Sequence, residues 1–401
     1  MNSVTKTRWP VVLVGFLTGA VGAMQVGKAP PVVGILSTEF ELTMTMAGWV
    51  LSTVALTGAA IGLLAGSISD RVGHRRTIQI SLILVIAGCL MGAVSGDVTW
   101  LLLSRVLEGT GFIGIVVSVP SILMRVTTPS DTRLVFGIWA GYMPMGMAIM
   151  MALVPYFLMV TDWRGIWIAN AVITGGMLIV FGLSTRGLEP RKDPDQNINP
   201  LTAIVRVLSR PGPWLLAACF LFYAGQWAAL MAWLPTFLTR ISGSDLSLAA
   251  LLTALVVLVN VPGNILGGWL LQRGFTRWHL VAVGSLCMAL SGYVVFMDGV
   301  SDAVRVISAI AFSFLGGLLP STLLGGSVLH SPVPALVGTT NGVILNGANS
   351  GTLLGPPALG TLVALLGGWQ ASGVAIAASG GIIFLLAILL GLVEKNLTQP
   401  S

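Results

Sequence analysis

Gly66-Ser67-Ile68-Ser69-Asp70-Arg71-Val72-Gly73-His74-Arg75-Arg76 is the stretch that decides the fold, because it places charged side chains between two long apolar segments. The hydrocarbon core of a bilayer holds no water that could solvate such charges or an irregular turn of backbone. The stretch therefore belongs at a membrane surface. The apolar segments on either side of it are predicted to be membrane-spanning helices.

The composition of the whole chain supports a membrane protein. Of the 401 residues, 55% are hydrophobic and only 8% are charged, whereas a soluble domain carries about a quarter charged residues. So few charges cannot cover a water-facing surface. The positive charges fall in short loops and form no basic run with interleaved aromatic residues. We therefore predict contact with a lipid bilayer and no nucleic-acid partner.

Hydropathy predicts twelve spans, each long enough for the roughly 20 residues that cross a bilayer. The predicted spans are 9–33, 47–66, 77–95, 99–124, 132–157, 164–185, 213–237, 247–271, 278–297, 302–328, 336–365 and 370–393. We therefore predict an all-α integral membrane protein with twelve transmembrane helices.

The distribution of Lys and Arg predicts the orientation. With the N-terminus inside, the inner loops and tails hold Lys6, Arg8, Arg71, Arg75, Arg76, Arg125, Arg133, Arg186, Arg191, Lys192, Arg206, Arg210, Arg273, Arg277 and Lys395. The outer loops hold only Arg164 and Arg240. The positive-inside rule then places both termini in the cytoplasm. Lys28, Arg105 and Arg305 remain within predicted spans.

The chain divides into two similar halves. A polar stretch separates six spans from six, which gives domains 1–186 and 212–401 joined by a cytoplasmic linker, 187–211. Positions about 200 residues apart match in order: Arg105-Val106 with Arg305-Val306, Phe112 with Phe312, Pro120-Ser121 with Pro320-Ser321, and Gln25 with Gln226. Chance alignment of apolar sequence is the alternative, but polar positions match as well. We predict a duplicated six-helix unit, which suits alternating access to a site between two bundles.

Three segments resemble motifs of one transporter family. The stretch Gly66–Arg76 resembles the signature loop of the major facilitator superfamily, which joins the second and third helices on the cytoplasmic side. Arg105–Gly111 resembles the motif of the fourth helix, with Glu108 where many members have Gln. Gly137, Gly141, Pro144 and Gly146 loosely resemble the Gly/Pro motif of the fifth helix. With Gln25–Pro31, Gly48-Trp49 and Tyr142–Met147, the chain looks most like the bacterial cyanate/nitroimidazole transporter branch.

The resemblance implies two pseudo-symmetric six-helix bundles, the major facilitator fold, in a bacterial cytoplasmic (inner) membrane. It also implies a monomer that needs no cofactor. The signature loop is then a gating element, in which Asp70 accepts hydrogen bonds and the arginines pair with acids or helix C-termini. The gating residues are Gly66, Asp70, Arg71, Gly73, Arg75 and Arg76.

Lys28 is the first candidate for substrate binding, because an intramembrane charge is a functional candidate by default. It lies about two-thirds along the first predicted helix, one turn after Gln25 and on the same face. A desolvated ammonium attracts an anion by at least a few kcal/mol. The alternative is that Lys28 snorkels to the outer surface and binds nothing.

Arg105 and Glu108 form the second candidate, three residues apart on the fourth helix. Desolvation favours the protonated form of Glu108, whereas Arg105 favours the carboxylate. Glu108 is therefore a candidate proton carrier. Arg105 is a candidate for binding the substrate or for taking part in proton coupling. The alternative is a static pair that holds the helix against its neighbours.

Polar and aromatic residues of other predicted cavity-lining helices are the third group. They are Tyr142, Tyr223, Gln226, Trp227, Asn260, Asn346 and Asn349. Amides within a membrane need partners, which a solute can supply, and aromatic rings can stack on a flat solute. For each of them, helix–helix packing is the alternative.

These observations favour a secondary transporter of a small, anionic solute, coupled to protons. The alternative is a proton-driven exporter of drugs or hydrophobic metabolites. No phosphate-binding Gly-Lys-Ser/Thr loop and no His-Glu-x-x-His spacing occurs, so neither ATP-driven transport nor an enzyme is expected. The sequence also leaves open the alternative of a receptor that has lost transport. The solute, the direction of transport and the stoichiometry also stay open.

Overall fold

The computed structural model describes residues 6–188, 200–241, 243–333 and 336–398. Throughout these ranges the regular structure is helical. Residues 189–199 of the predicted linker, which include Arg191 and Lys192, lie outside the described residues. Within the described part of the linker, Pro200–Leu208 forms a helix of its own.

The described ranges contain twelve long helical units in chain order, and several of them are interrupted. We number them α1 (Trp9–Gly27 and Val33–Glu39), α2 (Met44–Ser52 and Leu56–Val72), α3 (His74–Ala93), α4 (Val98–Val126), α5 (Thr132–Ala140 and Tyr142–Leu158), α6 (Trp163–Ser184), α7 (Pro211–Ile241), α8 (Leu246–Leu258 and Asn260–Gln272), α9 (Arg277–Val295), α10 (Asp302–Gly316 and Leu318–Leu324), α11 (Val337–Leu366) and α12 (Gln370–Thr398). Each corresponds to one predicted span. A short helix, Ser327–His330, follows α10.

Among the described residues, eleven of these units are long and apolar enough to cross a membrane. The exception is α11, which has 30 residues but carries asparagines and an internal Pro356-Pro357 pair. Polar and small residues suit close contact with other helices, and α11 packs against α7 and α2. The predicted all-α, twelve-helix fold is confirmed.

The two ends of the molecule are best told apart by the turn between α2 and α3. We call the end that carries this turn the signature-loop end, and the other the far end. At the far end, short polar side chains begin several helices: Asp97 accepts from Trp100 N at 3.0 Å, and Asp162 accepts from Gly165 N at 3.1 Å. Such caps satisfy backbone donors that have no partner within the helix.

The signature stretch is more helical than the sequence suggests. Helix α2 runs through Asp70 to Val72, and α3 begins at His74. The whole turn is made at Gly73, whose φ of +92° is a conformation that favours glycine. Arg75 donates to Gly182 O at 3.2 Å and to Thr185 Oγ1 at 3.1 Å, at the C-terminal end of α6. The predicted pairing of an arginine with a helix C-terminus is therefore present.

The bundles meet closely at the far end. A Cβ on Gly48 of α2 would lie 2.5 Å from Pro357 Cα of α11, and Thr45 and Thr361 share a 2.8 Å hydrogen bond. Nearer the signature-loop end, Asn346 of α11 donates to Ala59 O of α2 at 2.7 Å. On the other side of the interface between the bundles, the first half of α8 (Leu246–Leu258) packs along the second half of α5 (Tyr142–Leu158). The second half of α8 makes few contacts with α5. We call the interface between the two bundles the seam. The far end is therefore the closed end of the seam.

A larger side chain at Gly48 is expected to hold the far end open, because the atoms it would meet are backbone and cannot swing away. In Gly48→Leu, a cysteine reporter at Ser52, which is 2% exposed in the wild type, should react with a maleimide added from the far side. The matched control is Gly34→Leu, where nothing lies within 4 Å of an added Cβ. Protection of the reporter in Gly48→Leu, equal to that in the control, would contradict the closed seam.

Candidate functional site

Three charged side chains meet inside the N-terminal bundle, and we call Lys28, Arg105 and Glu108 the buried charge cluster. Each has no exposed surface. Lys28 Nζ lies 2.7 Å from Glu108 Oε1, and an Arg105 guanidinium nitrogen donates to Glu108 Oε2. One carboxylate is thus shared by two cations from different helices, and the predicted proximity of Arg105 and Glu108 is confirmed.

A shell of polar groups completes the cluster. Lys28 Nζ also donates to Gln25 Oε1 at 2.8 Å, lies 3.4 Å from Cys89 Sγ and sits 4.4 Å from the centre of a Trp167 ring. Gln25 Nε2 donates in turn to Asn170 Oδ1 at 3.3 Å. The site therefore joins α1, α3, α4 and α6 through side chains that hydrogen-bond one another.

Arg105 is held by backbone as well as by Glu108. Its guanidinium donates to Gln25 O at 2.7 Å and to Val50 O at 3.3 Å. These two carbonyls lie where helices stop or bend, since α1 breaks just after Gln25 and the first part of α2 ends just after Val50. Carbonyls near a helix end lack intrahelical donors, and a guanidinium satisfies them.

The local sequence explains how Lys28 reaches this position. The Pro30-Pro31 pair ends the regular helix, so Lys28 is the C-cap of Trp9–Gly27. Gly27 lets α1 approach α5, because a Cβ there would lie 2.3 Å from Met147 O. Gly88 lets α3 approach Glu108, since its Cβ would lie 2.8 Å from Glu108 Cγ. Small residues thus bring the charged groups together.

The cluster carries a net charge of one positive unit if all three groups are ionised. Buried ions are tolerated only when they are paired and hydrogen-bonded. Removing one partner of such a pair typically costs about 3–5 kcal/mol, because the other charge is left uncompensated. An anion or a change in protonation would alter this balance, so the cluster can respond to both.

A small cavity lies beside the cluster, at the seam between the bundles. It has a volume of about 50 Å³, room for a water molecule or two. Its lining comes from both halves: Val26, Leu51, Ser52, Val54, Ala55, Gly58, Gly109, Phe112, Ile113, Met143, Asn349 and Thr352. We call it the central cavity. Val26 and Gly109 are close in sequence to Lys28 and Glu108, but the lining contains none of the three charged residues of the cluster.

The C-terminal bundle holds a second, uncharged polar group. Asn260 Nδ2 lies 3.2 Å from Tyr223 Oη and donates to Ser313 O at 2.8 Å, while Trp227 Nε1 donates to Ser313 Oγ at 3.1 Å. Gln226 leaves its buried Oε1 without a hydrogen-bond partner among the described residues. These are the predicted polar residues of α7 and α8, and most of their groups bond to neighbouring helices.

The structure therefore divides the predicted substrate-binding residues into two groups and three separate residues. Lys28, Gln25 and Arg105 lie in or beside the buried charge cluster, and Tyr223, Gln226, Trp227 and Asn260 lie in the C-terminal group. Asn349 alone of the predicted set lines the central cavity. Asn346 bonds to α2, and Tyr142 stacks on Trp139 with ring centres 4.2 Å apart.

Sequence reasoning missed Asn170, Cys89 and Trp167 as partners of the cluster. Asn170 had a detectable signal, because an amide inside a predicted span needs a partner. Cys89 and Trp167 had none, since both are ordinary residues of an apolar helix. Their contacts with Lys28 arise only when α3 and α6 pack against α1.

The family follows from the match to a model named "Major Facilitator Superfamily", which covers residues 11–356. The chain belongs to the Major Facilitator Superfamily. It is therefore a multi-pass membrane transporter of small molecules, not an enzyme. The predicted family is confirmed.

Similar proteins include transporters of the predicted branch. This facilitator is 28% identical to "Cyanate transport protein CynX" of Escherichia coli (strain K12) over 291 residues, 72% of each chain. It is 24% identical to "Probable sulfoacetate transporter SauU" of Cupriavidus necator over 359 residues, 84% of this chain and 83% of that one. The likeness to CynX supports the resemblance to cyanate transporters.

A solved structure shares the fold. It is a bacterial homologue of the human lysosomal transporter Spinster in an inward-facing and occupied conformation. The two chains superpose with a TM-score of 0.78 over 98% of this facilitator and 99% of that protein, at 16% identity. This likeness establishes the fold of the facilitator.

Proposed function

We propose that this facilitator carries a small anion together with a proton across a bacterial inner membrane, with the signature-loop end and both termini in the cytoplasm. The observation that carries the proposal is the sharing of Glu108 by Lys28 and Arg105 in a fully buried cluster. A carboxylate in this position competes with any anion for the same two cations.

Protonation of Glu108 removes that competition. The neutral acid no longer balances Lys28 and Arg105, and the two cations then favour an incoming anion. The cluster carries one excess positive charge with Glu108 ionised and the site empty. With Glu108 protonated and a monoanion bound, its net charge is the same. One proton and one monoanion are therefore carried with no net charge.

The central cavity supplies the route from the seam to the cluster. Val26, Gly109 and Phe112 line the cavity on the side of α1 and α4, next to the cluster in sequence. Ser52, Asn349 and Thr352 give it polar groups from both bundles. Rocking of the bundles would open the cavity first to one side and then to the other.

The similar proteins point to the same class of solute. Cyanate and sulfoacetate, which the names of the two relatives give as their solutes, are small anions. Each carries charge that a lysine and an arginine can neutralise. We therefore expect the solute to be a small inorganic anion, carboxylate or sulfonate.

The test uses the whole chain in proteoliposomes loaded with a pH dye. Cyanate, nitrate, short carboxylates, sulfoacetate and nitroaromatic anions are added one at a time, beside organic cations and hydrophobic drugs. We expect the lumen to acidify with at least one anion. A pH change only with cations or drugs would instead favour the proton-driven exporter and overturn the proposal.

A further inference from the structure

A second cavity lies at the far end, within the C-terminal bundle and apart from the central cavity. Its volume is about 540 Å³, within the 300–1,000 Å³ of ordinary small-molecule sites. The ends of α7, α9 and α11 and the starts of α10 and α12 surround it. We call it the far-end pocket.

Two arginines give the pocket its charge. Arg305 is 7% exposed, and its guanidinium donates to Val295 O at 2.8 Å and lies 5.3 Å from the centre of the Phe237 ring. These contacts fix the guanidinium in the wall. Asp302, 3.9 Å from Arg305 Nε, is 60% exposed and is not part of the lining.

Arg240 completes the positive side of the pocket. It is exposed at the end of α7 and makes no salt bridge with any residue that the structure describes. The acid of the lining is Asp298, whose Oδ2 accepts from Gln370 Nε2 at 2.6 Å. The lining therefore carries one net positive charge, and its carboxylate already has a donor.

Three aromatic residues also contribute to the wall, beside aliphatic residues and glycines. Phe237 and Phe296 meet edge to face at 4.8 Å, and Trp369 lies nearly parallel to Phe296, with 6° between their planes. Trp369 also contacts Phe237, with ring centres 5.5 Å apart. Phe237 and Phe296 are almost fully buried, whereas Trp369 is 9% exposed and offers most of the aromatic surface. Together with the fixed guanidinium of Arg305 and the exposed one of Arg240, Trp369 suits a flat ring that carries a carboxylate.

One residue of the opposite bundle also lines the pocket. Met44, at the start of α2, lines the pocket together with Val363 and Ala364 of α11. Nearby, a Cβ on Gly360 would lie 2.4 Å from Met44 O, so the two bundles touch at the edge of the pocket. When the far end opens, Met44 must leave, and the complete pocket exists only while the far end is closed.

We propose that the far-end pocket binds an aromatic carboxylate and that this binding holds the far end closed. A ligand that binds one conformation better than the other shifts the population toward it. An aromatic carboxylate on the far side therefore inhibits transport without entering the central cavity. The site is independent of the solute that the facilitator carries.

The test is calorimetric titration of the purified full-length facilitator with 1-naphthoate, beside uncharged 1-naphthamide. Wild type should bind naphthoate saturably and bind the amide much more weakly. Arg240→Gln should weaken naphthoate binding about tenfold, which corresponds to about 1.4 kcal/mol. Arg164→Gln is the matched control, since Arg164 lies at the far end of the other bundle and pairs with Glu39.

A second measurement tests whether naphthoate closes the far end and whether it binds in the far-end pocket. Naphthoate should slow the residual reaction of a Ser52→Cys reporter with a maleimide added at the far side, and Arg240→Gln should remove this slowing at the same concentration. Lys28→Ala should leave the affinity for naphthoate unchanged. No saturable binding, or binding lost in Lys28→Ala but kept in Arg240→Gln, would overturn the proposal, because the ligand would then be absent or in the central site.

Discussion

Replacing Glu108 with glutamine is expected to abolish proton-driven accumulation of the anion while anion exchange continues. The amide cannot take up or release a proton, but it resembles the protonated acid in shape and hydrogen bonding. Lys28 and Arg105 then stay available to the anion on both sides of the membrane. We expect the anion to equilibrate across the membrane instead of accumulating, because exchange without a proton cannot draw on the proton gradient, while the exchange rate stays within a few-fold of wild type.

The control for this variant is Glu39→Gln. Glu39 also pairs with an arginine, since its Oε1 lies 2.6 Å from Arg164 Nη2, but at the far end and partly exposed. Because exposed ion pairs contribute little, this variant should transport like wild type. Since Glu108→Gln also leaves two buried cations unpaired, both variants are first compared by size-exclusion profile and melting temperature. Proton-driven accumulation retained by a folded Glu108→Gln protein would remove Glu108 from the coupling.

Replacing Lys28 with alanine is expected to raise the half-saturating anion concentration at least about tenfold. The buried ammonium is one of two cations that the anion meets, and truncating one partner of a desolvated charge pair typically costs about 2–5 kcal/mol. Lys28→Arg should lose less, because it keeps the charge but misplaces it among Gln25, Cys89 and Trp167. The measurement is the initial uptake rate against anion concentration in proteoliposomes.

Lys395→Ala serves as the matched control for the loss of a lysine. Lys395 lies in the last turn of α12, at the signature-loop end and far from the cluster in sequence. Its removal should leave half-saturation unchanged. A Lys28→Ala protein whose half-saturation equals that of Lys395→Ala would mean that Lys28 is a structural partner of Glu108 and does not meet the anion.

Local features of the sequence predicted the fold and part of the cluster. Apolar segments of about 20 residues are sufficient to locate helices in a membrane, and all twelve were found. The Arg105–Glu108 pair was predictable because residues three apart share a helix face. The glycine at position 73 also indicated the turn there. The charged residues suggested a longer loop, but α2 continues through Asp70 to Val72.

The contacts between distant helices were beyond sequence reasoning. Lys28 and Glu108 are 80 positions apart, and their meeting depends on how closely Gly27 and Gly88 let the helices approach. Asn346 and Ala59 are 287 positions apart, and their hydrogen bond between the two bundles likewise depends on how distant helices pack. The far-end pocket likewise combines the ends of helices that are far apart in the chain, such as those that carry Arg240 and Trp369.

The most direct test of the account is the number of protons carried with each anion. In proteoliposomes, anion uptake and lumenal pH are followed together while a potassium gradient with valinomycin sets the membrane potential. The shared carboxylate predicts one proton for each monoanion and an uptake rate that does not change with the potential. Anion uptake without acidification, or uptake that rises steeply with an inside-positive potential, would contradict a proton and an anion sharing the cluster of Lys28, Arg105 and Glu108.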